Sequence, residues 1–342
     1  MLPRYMIYTE AEEPMEKILA APLSPRQRGR WEAFLTKQGL DADPGVEVTL
    51  LLEEDGQIIA TGSRQENILK CIAVDPAHQG EDLSATVLTE LRQEAFHRGL
   101  EQLFLYTKPK NRLLFESLFF YPVAQTQDVL LMENRRGGIA DFVSEIPRPG
   151  KDGNVGAVVM NCNPFTLGHR YLVETAARAC DWLYVFVLSE EKSLFSAEDR
   201  LRLVKEGTAD LSNVTVWPTG PYLISSATFP TYFLPDKSRT VEIQCRLDLE
   251  VFARHFAPPL FITRRYVGTE PFSQVTAQYN RVMKEYLPAM GIQVTELPRK
   301  EGESGPISAS AVRALLGSGQ RDKLRTLVPE STFRYLEINH LI

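Results

Sequence analysis

Two short stretches of this chain carry residue types suited to gripping a polyphosphate. The first, residues 161–169, reads Asn161-Cys162-Asn163-Pro164-Phe165-Thr166-Leu167-Gly168-His169. An apolar run at 155–160 leads into it, and a helical pattern at 170–180 follows. The stretch therefore reads as a strand, a tight polar turn and a helix start. Such a turn aims backbone N–H groups and the positive end of a helix at one point, where an anion can sit. Gly168 permits close backbone approach to a ligand. His169 can donate hydrogen bonds to a phosphate and titrates near neutral pH. A lone Gly-His pair is equally an ordinary strand–helix turn. The second stretch, residues 307–313, reads Ile307-Ser308-Ala309-Ser310-Ala311-Val312-Arg313. It supplies hydroxyls and backbone N–H groups at a helix start, with Arg313 one turn in. By themselves the serines are ordinary helix caps, and Arg313 is an ordinary solvated cation.

The surrounding pattern says how these residues are positioned. From 155 onward, strands are predicted at 155–160, 182–188, 214–217, 264–268 and 292–297. Helices are predicted at 170–180, 196–211, 249–256, 275–287 and 311–316, the second capped by Ser196 with Asp199 three residues on. Alternating strands and helices imply a parallel sheet with right-handed crossovers, hence a doubly wound, Rossmann-like α/β domain. Ligands of such sheets bind beyond the carboxyl ends of the strands, where strand order reverses. The first stretch follows the first strand of this domain, which is the expected place. Gly268 and Glu270, at the end of a later strand, are candidate pocket walls. Lys192, Arg299 and Lys300 are candidate phosphate contacts, each equally a solvated charge. Cys162 is assigned to packing, and His78, His97, His255 and His340 have no partner pattern.

The first part of the chain is organised differently. Residues 1–45 are polar, with a helix at 25–38. Strands follow at 47–52 and 57–61, joined by the Asp55-Gly56 turn, and then at 67–74 and 103–107. Helices lie at 84–98 and 111–118, and a last strand opens at 119–121. Residues 133–153 are rich in Pro, Gly and charge, which suits a domain boundary with a short helix at 139–146. The division is a domain at 1–135, a linker at 136–153 and a second domain at 154–342.

Composition narrows the function classes. With 342 residues, 44% hydrophobic and 24% charged, the chain reads as a soluble protein of two domains. A net charge of −6 offers no global attraction to nucleic acid or to an anionic membrane. No run approaches the roughly 20 apolar residues of a membrane helix, and the N-terminus lacks a signal-peptide pattern. The four cysteines are scattered without metal-site spacing, which fits a reducing cytoplasm and neither a zinc cage nor a disulfide framework.

Three resemblances sharpen this reading. The order of strand, Val74-Asp75-Pro76-Ala77-His78-Gln79-Gly80, long helix and strand, then Asn111, Leu114-Phe115 and Phe119–Tyr121, resembles the GNAT acetyltransferases. In that family a Gln/Arg-x-x-Gly-x-Gly/Ala loop binds the pyrophosphate of acyl-CoA. Here Asp82 and Ser84 replace the small residues, which opposes pyrophosphate binding. An inactive scaffold, a dock for a CoA-like group and an active transferase all stay open for this domain. The pairing of Thr166-Leu167-Gly168-His169 with 307–313 resembles the nucleotidylyltransferase superfamily, whose H/T-x-G-H and I-S-S-T-x-V-R motifs hold nucleotide phosphates. Finally, a GNAT-like domain ahead of such a domain is similar to the citrate lyase ligase family. That similarity is carried by 161–174, 69–80, 264–268, 270–273 and 298–301 and runs from about residue 20 to the C-terminus.

The last resemblance implies an acid–thiol ligase reaction. ATP, acetate and the thiol form of citrate lyase would give AMP, pyrophosphate and the acetylated enzyme. The implied partner is the acyl-carrier subunit of citrate lyase with its phosphoribosyl-dephospho-CoA group. Acetate would attack the α-phosphorus, and the thiol would then attack acetyl-adenylate. His169 is the expected main donor to the phosphates, with Thr166 assisting. Ser308, Ser310 and Arg313 are expected at the β- and γ-phosphates, and Asn161, Asn163, Phe165, Gly168, Gly268 and Glu270 around ATP. Mg²⁺ is expected to bridge the phosphates, with the nucleotide rather than the protein supplying most ligands. The rival readings are a nucleotidylyltransferase acting on a phosphorylated small molecule, a non-catalytic carrier-docking module, and an acetyl-CoA-dependent acetyltransferase.

Overall fold

A computed structural model describes residues 15–149, 153–191, 193–223, 229–302 and 305–342. Two compact units are present. The first contains the described residues up to Pro122, with Asp128–Arg136 and Pro230–Lys237. The second contains Val123–Gln127, the described part of Gly137–Phe229, and Ser238–Ile342.

The first unit is built on a seven-stranded mixed sheet of order β1-β2-β3-β4-β5-β7-β6. The strands are β1 (Glu16–Ala20), β2 (Val48–Glu54), β3 (Gln57–Gln65), β4 (Ile68–Val74), β5 (Phe104–Thr107), β6 (Tyr121–Gln125) and β7 (Leu130–Glu133). Helices α1 (Pro25–Lys37), α2 (Leu83–His97) and α3 (Arg112–Ser117) accompany it. Leu83, Val87, Leu88, Leu91 and Ala95 give α2 one apolar stripe, and it packs on Leu50, Leu52, Leu69, Leu105 and Met132 of the sheet. The parallel pair β4–β5 is short, with Ile68 opposite Phe104 and Leu69 opposite Leu105. The turn before α2 keeps its sharp course, Gly80 at φ +98° and Asp82 at φ +54°. Asp82 thus holds a left-handed conformation better suited to glycine, and its side chain caps nothing.

The second unit carries a five-stranded, fully parallel sheet of order β10-β9-β8-β11-β12. Its strands are β8 (Val155–Met160), β9 (Trp182–Val187), β10 (Val214–Pro218), β11 (Ile262–Gly268) and β12 (Gln293–Leu297). The chain winds outward from β8 to β10, returns, and continues through β11 to β12. Order therefore reverses between β8 and β11, and both strands deliver their carboxyl ends there. The helices are α4 (Gly138–Ser144), α5 (Leu167–Arg178), α6 (Ala197–Gly207), α7 (Thr240–Val251), α8 (Gln274–Ala289), α9 (Ala309–Leu315), α10 (Arg321–Arg325) and α11 (Glu330–Ile338). Val173, Ala176 and Ala177 of α5, with Leu203 and Val204 of α6, close one sheet face over Val158, Val185 and Tyr266. On the other face Phe186 meets Phe256 edge-on at 5.5 Å, and Phe142 packs on Tyr222 and Phe256.

Several expectations are corrected. The short helix expected at 139–146 is present as α4, with Ile139 and Val143 buried alongside Ile146, and from Gly137 on the stretch expected as a linker groups with the second unit. Residues 150–152 of that stretch lie outside the described residues. Residues 230–237 group with the first unit, not with the sequence that flanks them. Strands β1 and β7 and helices α10 and α11 were not anticipated. Helix α7 begins at Thr240, not near 249, and continues through a wider turn at Phe252–Phe256.

Candidate functional site

The turn after β8 is shaped by its own backbone and by one buried cation. Cys162 is buried at φ +54°. Arg200, fully buried on α6, donates Nη1 to the Asn161 carbonyl at 2.9 Å and to Asn161 Oδ1 at 2.6 Å. It also donates to the carbonyls of Leu188 at 2.7 Å, Phe195 at 3.1 Å and Glu190. One guanidinium thus ties the ends of two strands and the loop before α6 into a single rim. Asn163 Oδ1 accepts from the Phe195 N–H at 3.2 Å and adds to the same rim. Sequence reading missed Arg200. The signal was there: it sits in the apolar stripe of α6 with Leu203, Val204 and Gly207, where a cation must be paid for by polar partners.

Thr166 caps α5 and orients His169. The Thr166 hydroxyl accepts from the His169 N–H at 3.3 Å. The Thr166 N–H in turn donates to His169 Nδ1 at 3.1 Å. A ring nitrogen that accepts a backbone proton carries none of its own, so the neutral imidazole holds its proton on Nε2. Nε2–H meets no acceptor among the described residues. Phe165, fully buried, stacks on the ring at 6.0 Å with an interplanar angle of 11°. Desolvation of the ring, reinforced by the Arg299 guanidinium, depresses the His169 pKa to about 4. The free site therefore presents a neutral, oriented N–H donor rather than an imidazolium. Thr166 and Phe165 are buried behind the ring and hold it in place.

The two stretches, about 140 positions apart, meet here. A Cβ at Gly168 would stand 2.7 Å from the Ile307 carbonyl oxygen. Arg313 donates Nη1 to the Asn163 carbonyl at 2.5 Å and Nη2 to Ser310 Oγ at 3.1 Å. Ser308 caps α9, its Oγ accepting from the Ala311 N–H at 3.1 Å. Both serine oxygens are thus used as acceptors, which leaves their O–H protons for an anion. Further contacts hold the second stretch's surroundings against the turn, Leu167 N–H to Leu327 O at 2.9 Å and Thr332 Oγ1 to Phe165 O at 3.0 Å.

The candidates on the other wall divide. Gly268 ends β11, and a Cβ there would meet open space. Glu270 is turned inward to its own loop, Oε1 accepting from the N–H groups of Phe272 at 3.0 Å and Ser273 at 3.1 Å. It also forms an ion pair with Arg299, whose Nε donates to the Thr269 carbonyl at 2.6 Å. The charge of Arg299 is therefore matched within the protein. Lys300 is exposed, and its carbonyl receives the Ile307 N–H at 3.0 Å. Lys192 lies outside the described residues.

Residues 155–336 match the family described as Citrate lyase ligase C-terminal domain, and residues 6–116 match the Acetyltransferase (GNAT) family. A [Citrate [pro-3S]-lyase] ligase of Klebsiella pneumoniae is 42% identical over 313 residues, 89% of this chain and 91% of that protein. Proteins of the same name from Escherichia coli (strain K12) and Haemophilus influenzae are each 40% identical. Those matches cover 89% and 90% of this chain and 88% and 94% of those proteins.

Proposed function

The chain belongs to the citrate lyase ligase family, and from that premise we propose that it activates acetate with ATP and passes the acetyl group to a thiol. The thiol is that of the CoA-derived prosthetic group on the acyl-carrier subunit of citrate lyase. In the first step an acetate oxygen attacks the α-phosphorus of ATP, and the bond to the bridging oxygen breaks to release pyrophosphate. In the second the thiolate attacks the acetyl carbonyl, and AMP leaves.

The first step gathers negative charge on phosphate oxygens, so the protein's task is positioned donors and cations. His169 Nε2–H, the hydroxyls of Ser308 and Ser310, and the Arg313 guanidinium fill that role in this reading. Thr166 positions the imidazole. Asn161, Asn163 and Phe165 build the turn, and Gly268 leaves room at the strand end. No group of three His, Cys, Asp or Glu side chains converges on a metal site among the described residues. Mg²⁺ would be held chiefly by the nucleotide's own phosphates and would offset their charge there. The observation that carries the reading is the meeting of the two stretches at the switch point, through Gly168 against Ile307 and Arg313 against Asn163. No helix among the described residues is long and apolar enough to cross a membrane. The free thiols of Cys71, Cys162, Cys180 and Cys245 suit a reducing compartment, and the proposal sets the enzyme in the cytoplasm.

One assay tests the chemistry without the carrier. ATP, Mg²⁺, acetate and hydroxylamine should give AMP and acetyl-hydroxamate in equal amounts, because hydroxylamine traps acetyl-adenylate. His169→Ala should lower the rate by roughly 10²–10³ while leaving the fold intact. Absence of both products overturns the proposal. A product that keeps the nucleotide would instead mark a nucleotidylyltransferase acting on a phosphorylated small molecule.

A further inference from the structure

The edge of the second sheet where the two stretches meet carries exposed apolar side chains that the first reaction step does not use. Strand order puts β9 and β11 on either side of β8, and all three run parallel. The loops that follow β9 and β11 therefore flank the turn that follows β8. On the β9 side, Asn161 Nδ2 donates to Ser193 Oγ at 3.2 Å. Two residues on, the Phe195 N–H donates to Asn163 Oδ1 at 3.2 Å, and the Phe195 ring is buried. Ser193 and Phe195 are thus pinned to the turn, and Leu194 between them faces solvent, 64% exposed. On the β11 side, Glu270 Oε1 accepts the Phe272 N–H at 3.0 Å. The Arg299 guanidinium lies 5.9 Å from the centre of the Phe272 ring and is close enough to His169 for its charge to act there. The Phe272 ring is still 66% exposed, and Val275, in the first turn of α8, is 44% exposed.

Single apolar residues in water are common on any protein. Leu194 and Phe272 differ in being held by polar contacts of their own loops, on opposite sides of one turn. Apolar surface fixed in advance costs little further ordering when a ligand covers it. The triphosphate of ATP and the carboxylate of acetate are charged, and neither gains from such a rim. The reactant left over is the thiol. It ends a CoA-derived arm, a flexible chain of methylene and amide groups that bears a pair of methyls. The ends of β9 and β11 lie two strand spacings, roughly 10 Å, apart, a width that suits a chain and not a folded domain. Lys300, next to Arg299, is exposed, and its charge is opposite to that of the arm's phosphates.

We propose that Leu194 and Phe272 form the entry for the thiol-bearing arm of the acyl-carrier subunit, packing on its methyl-bearing segment so that the sulfur reaches the nucleotide site between them. This rests on the acid–thiol ligase reading. In the step that the entry serves, the sulfur bonds to the acetyl carbonyl carbon, the carbon–oxygen bond to AMP breaks, and the thiol proton passes to water.

Saturation-transfer NMR on the full chain tests it, with dephospho-CoA as the probe and a non-hydrolysable ATP analogue filling the nucleotide site. Wild type should give a signal at the probe's two methyl groups. Leu194→Ala and Phe272→Ala should each weaken its affinity roughly tenfold. Both side chains are exposed, so both variants should melt with the wild type. The hydroxamate rate needs no arm and should move less than about threefold in either variant. Absence of a methyl signal from wild type overturns the proposal, and so does wild-type affinity for dephospho-CoA in either variant. A matching fall in the hydroxamate rate would mark a general distortion of the site and also overturns it. Weaker binding of the ATP analogue by Phe272→Ala, with dephospho-CoA unaffected, would give the ring to adenine instead. Methyl signals that depend on residues 194 and 272 without hydroxamate formation would remove the ligase reading and keep the entry. Hydroxamate formation with dephospho-CoA binding indifferent to both residues would do the reverse.

Discussion

Replacing Gly168 by alanine asks directly whether the two stretches proposed to bind phosphate depend on contact with each other. The new Cβ would stand 2.7 Å from the Ile307 carbonyl oxygen and 3.4 Å from Thr166 Oγ1. A comfortable carbon–oxygen approach is about 3.3 Å, so the backbones must part by roughly half an ångström. Neither partner is a flexible side-chain end: one is main chain, and Thr166 is fixed by its cap on α5. Two effects oppose each other. Alanine favours a helix over glycine by up to about 1 kcal/mol, less in the first turn where Gly168 lies. Overpacking against a rigid neighbour costs about 1–3 kcal/mol. The steric effect wins, and the net loss should be about 1–2 kcal/mol, or a few degrees in Tm for a unit of this size. The catalytic loss should be disproportionate. Misplacement by 1 Å can cost about 10²-fold, so half of that predicts roughly a tenfold slower release of AMP in the hydroxylamine assay. Thermal melts and initial rates on the same preparation check both numbers. A variant with wild-type Tm and wild-type rate would show that Gly168 does not press on Ile307. A lowered Tm with an unchanged rate would show that the contact matters to the fold and not to the chemistry.

Arg200→Met should destabilise the second unit by about 3–5 kcal/mol, because the carbonyls of Asn161, Leu188, Phe195 and Glu190 lose a common donor. Urea denaturation reads this directly, and Arg200→Lys should recover only part of the loss, since an ammonium cannot span the same fork. A loss below about 1 kcal/mol would mean the rim holds without its cation. The pH dependence follows from His169, whose pKa is depressed from 6.5 to about 4. The unfolded chain takes up a proton there before the folded one does. His169 therefore favours the fold above pH 6.5, and that contribution is lost as pH falls from 6.5 to about 4. The stability difference between wild type and His169→Asn should shrink across that window; a flat difference would place the imidazole in water.

The parts of this molecule that follow from local chemistry were legible in the sequence. Alternation after residue 155 gave the parallel sheet, and the cap at Ser196 with Asp199 is present, the N–H donating to Ser196 Oγ at 3.1 Å. The pairing of a Gly-His turn with a distant serine-rich helix start rested on resemblance, and no periodicity could have joined them. What escaped has physical reasons. Helix α7 buries Gln244, Asp248 and Glu250 alongside Ile243, Leu247 and Leu249, so it has no apolar stripe to read. Edge strand β1 has mostly exposed side chains and little strand signature. Residues 230–237 join the first unit through long-range contacts such as the Asp41 N–H to the Tyr232 carbonyl at 2.9 Å, and no local pattern reports those. Thr166 and Arg299 were legible as polar residues near the site, but not what they would be bonded to.

Those bonds decide how the proposed site would attract a triphosphate in a chain of net charge −6. Arg299 lies nearby, paired with Glu270, and its charge adds to burial, the larger cause, in holding the His169 pKa down. Arg313 and Arg200 are held differently. Their partners are carbonyl and hydroxyl or amide oxygens, which satisfy the N–H donors without cancelling the charge. Two fixed cations thus flank the turn, with Glu190 and Glu191 close enough to act on Arg200, while Arg299 on the opposite wall is paired with Glu270 and still acts on His169. Arriving phosphates would meet a neutral histidine whose Nε2–H has no acceptor among the described residues, and their charge would raise its pKa toward its ordinary value. The imidazole could then gain positive charge only as negative charge builds in front of it. A site of this kind stabilises the charged transition state more than the empty state, which is the property catalysis requires.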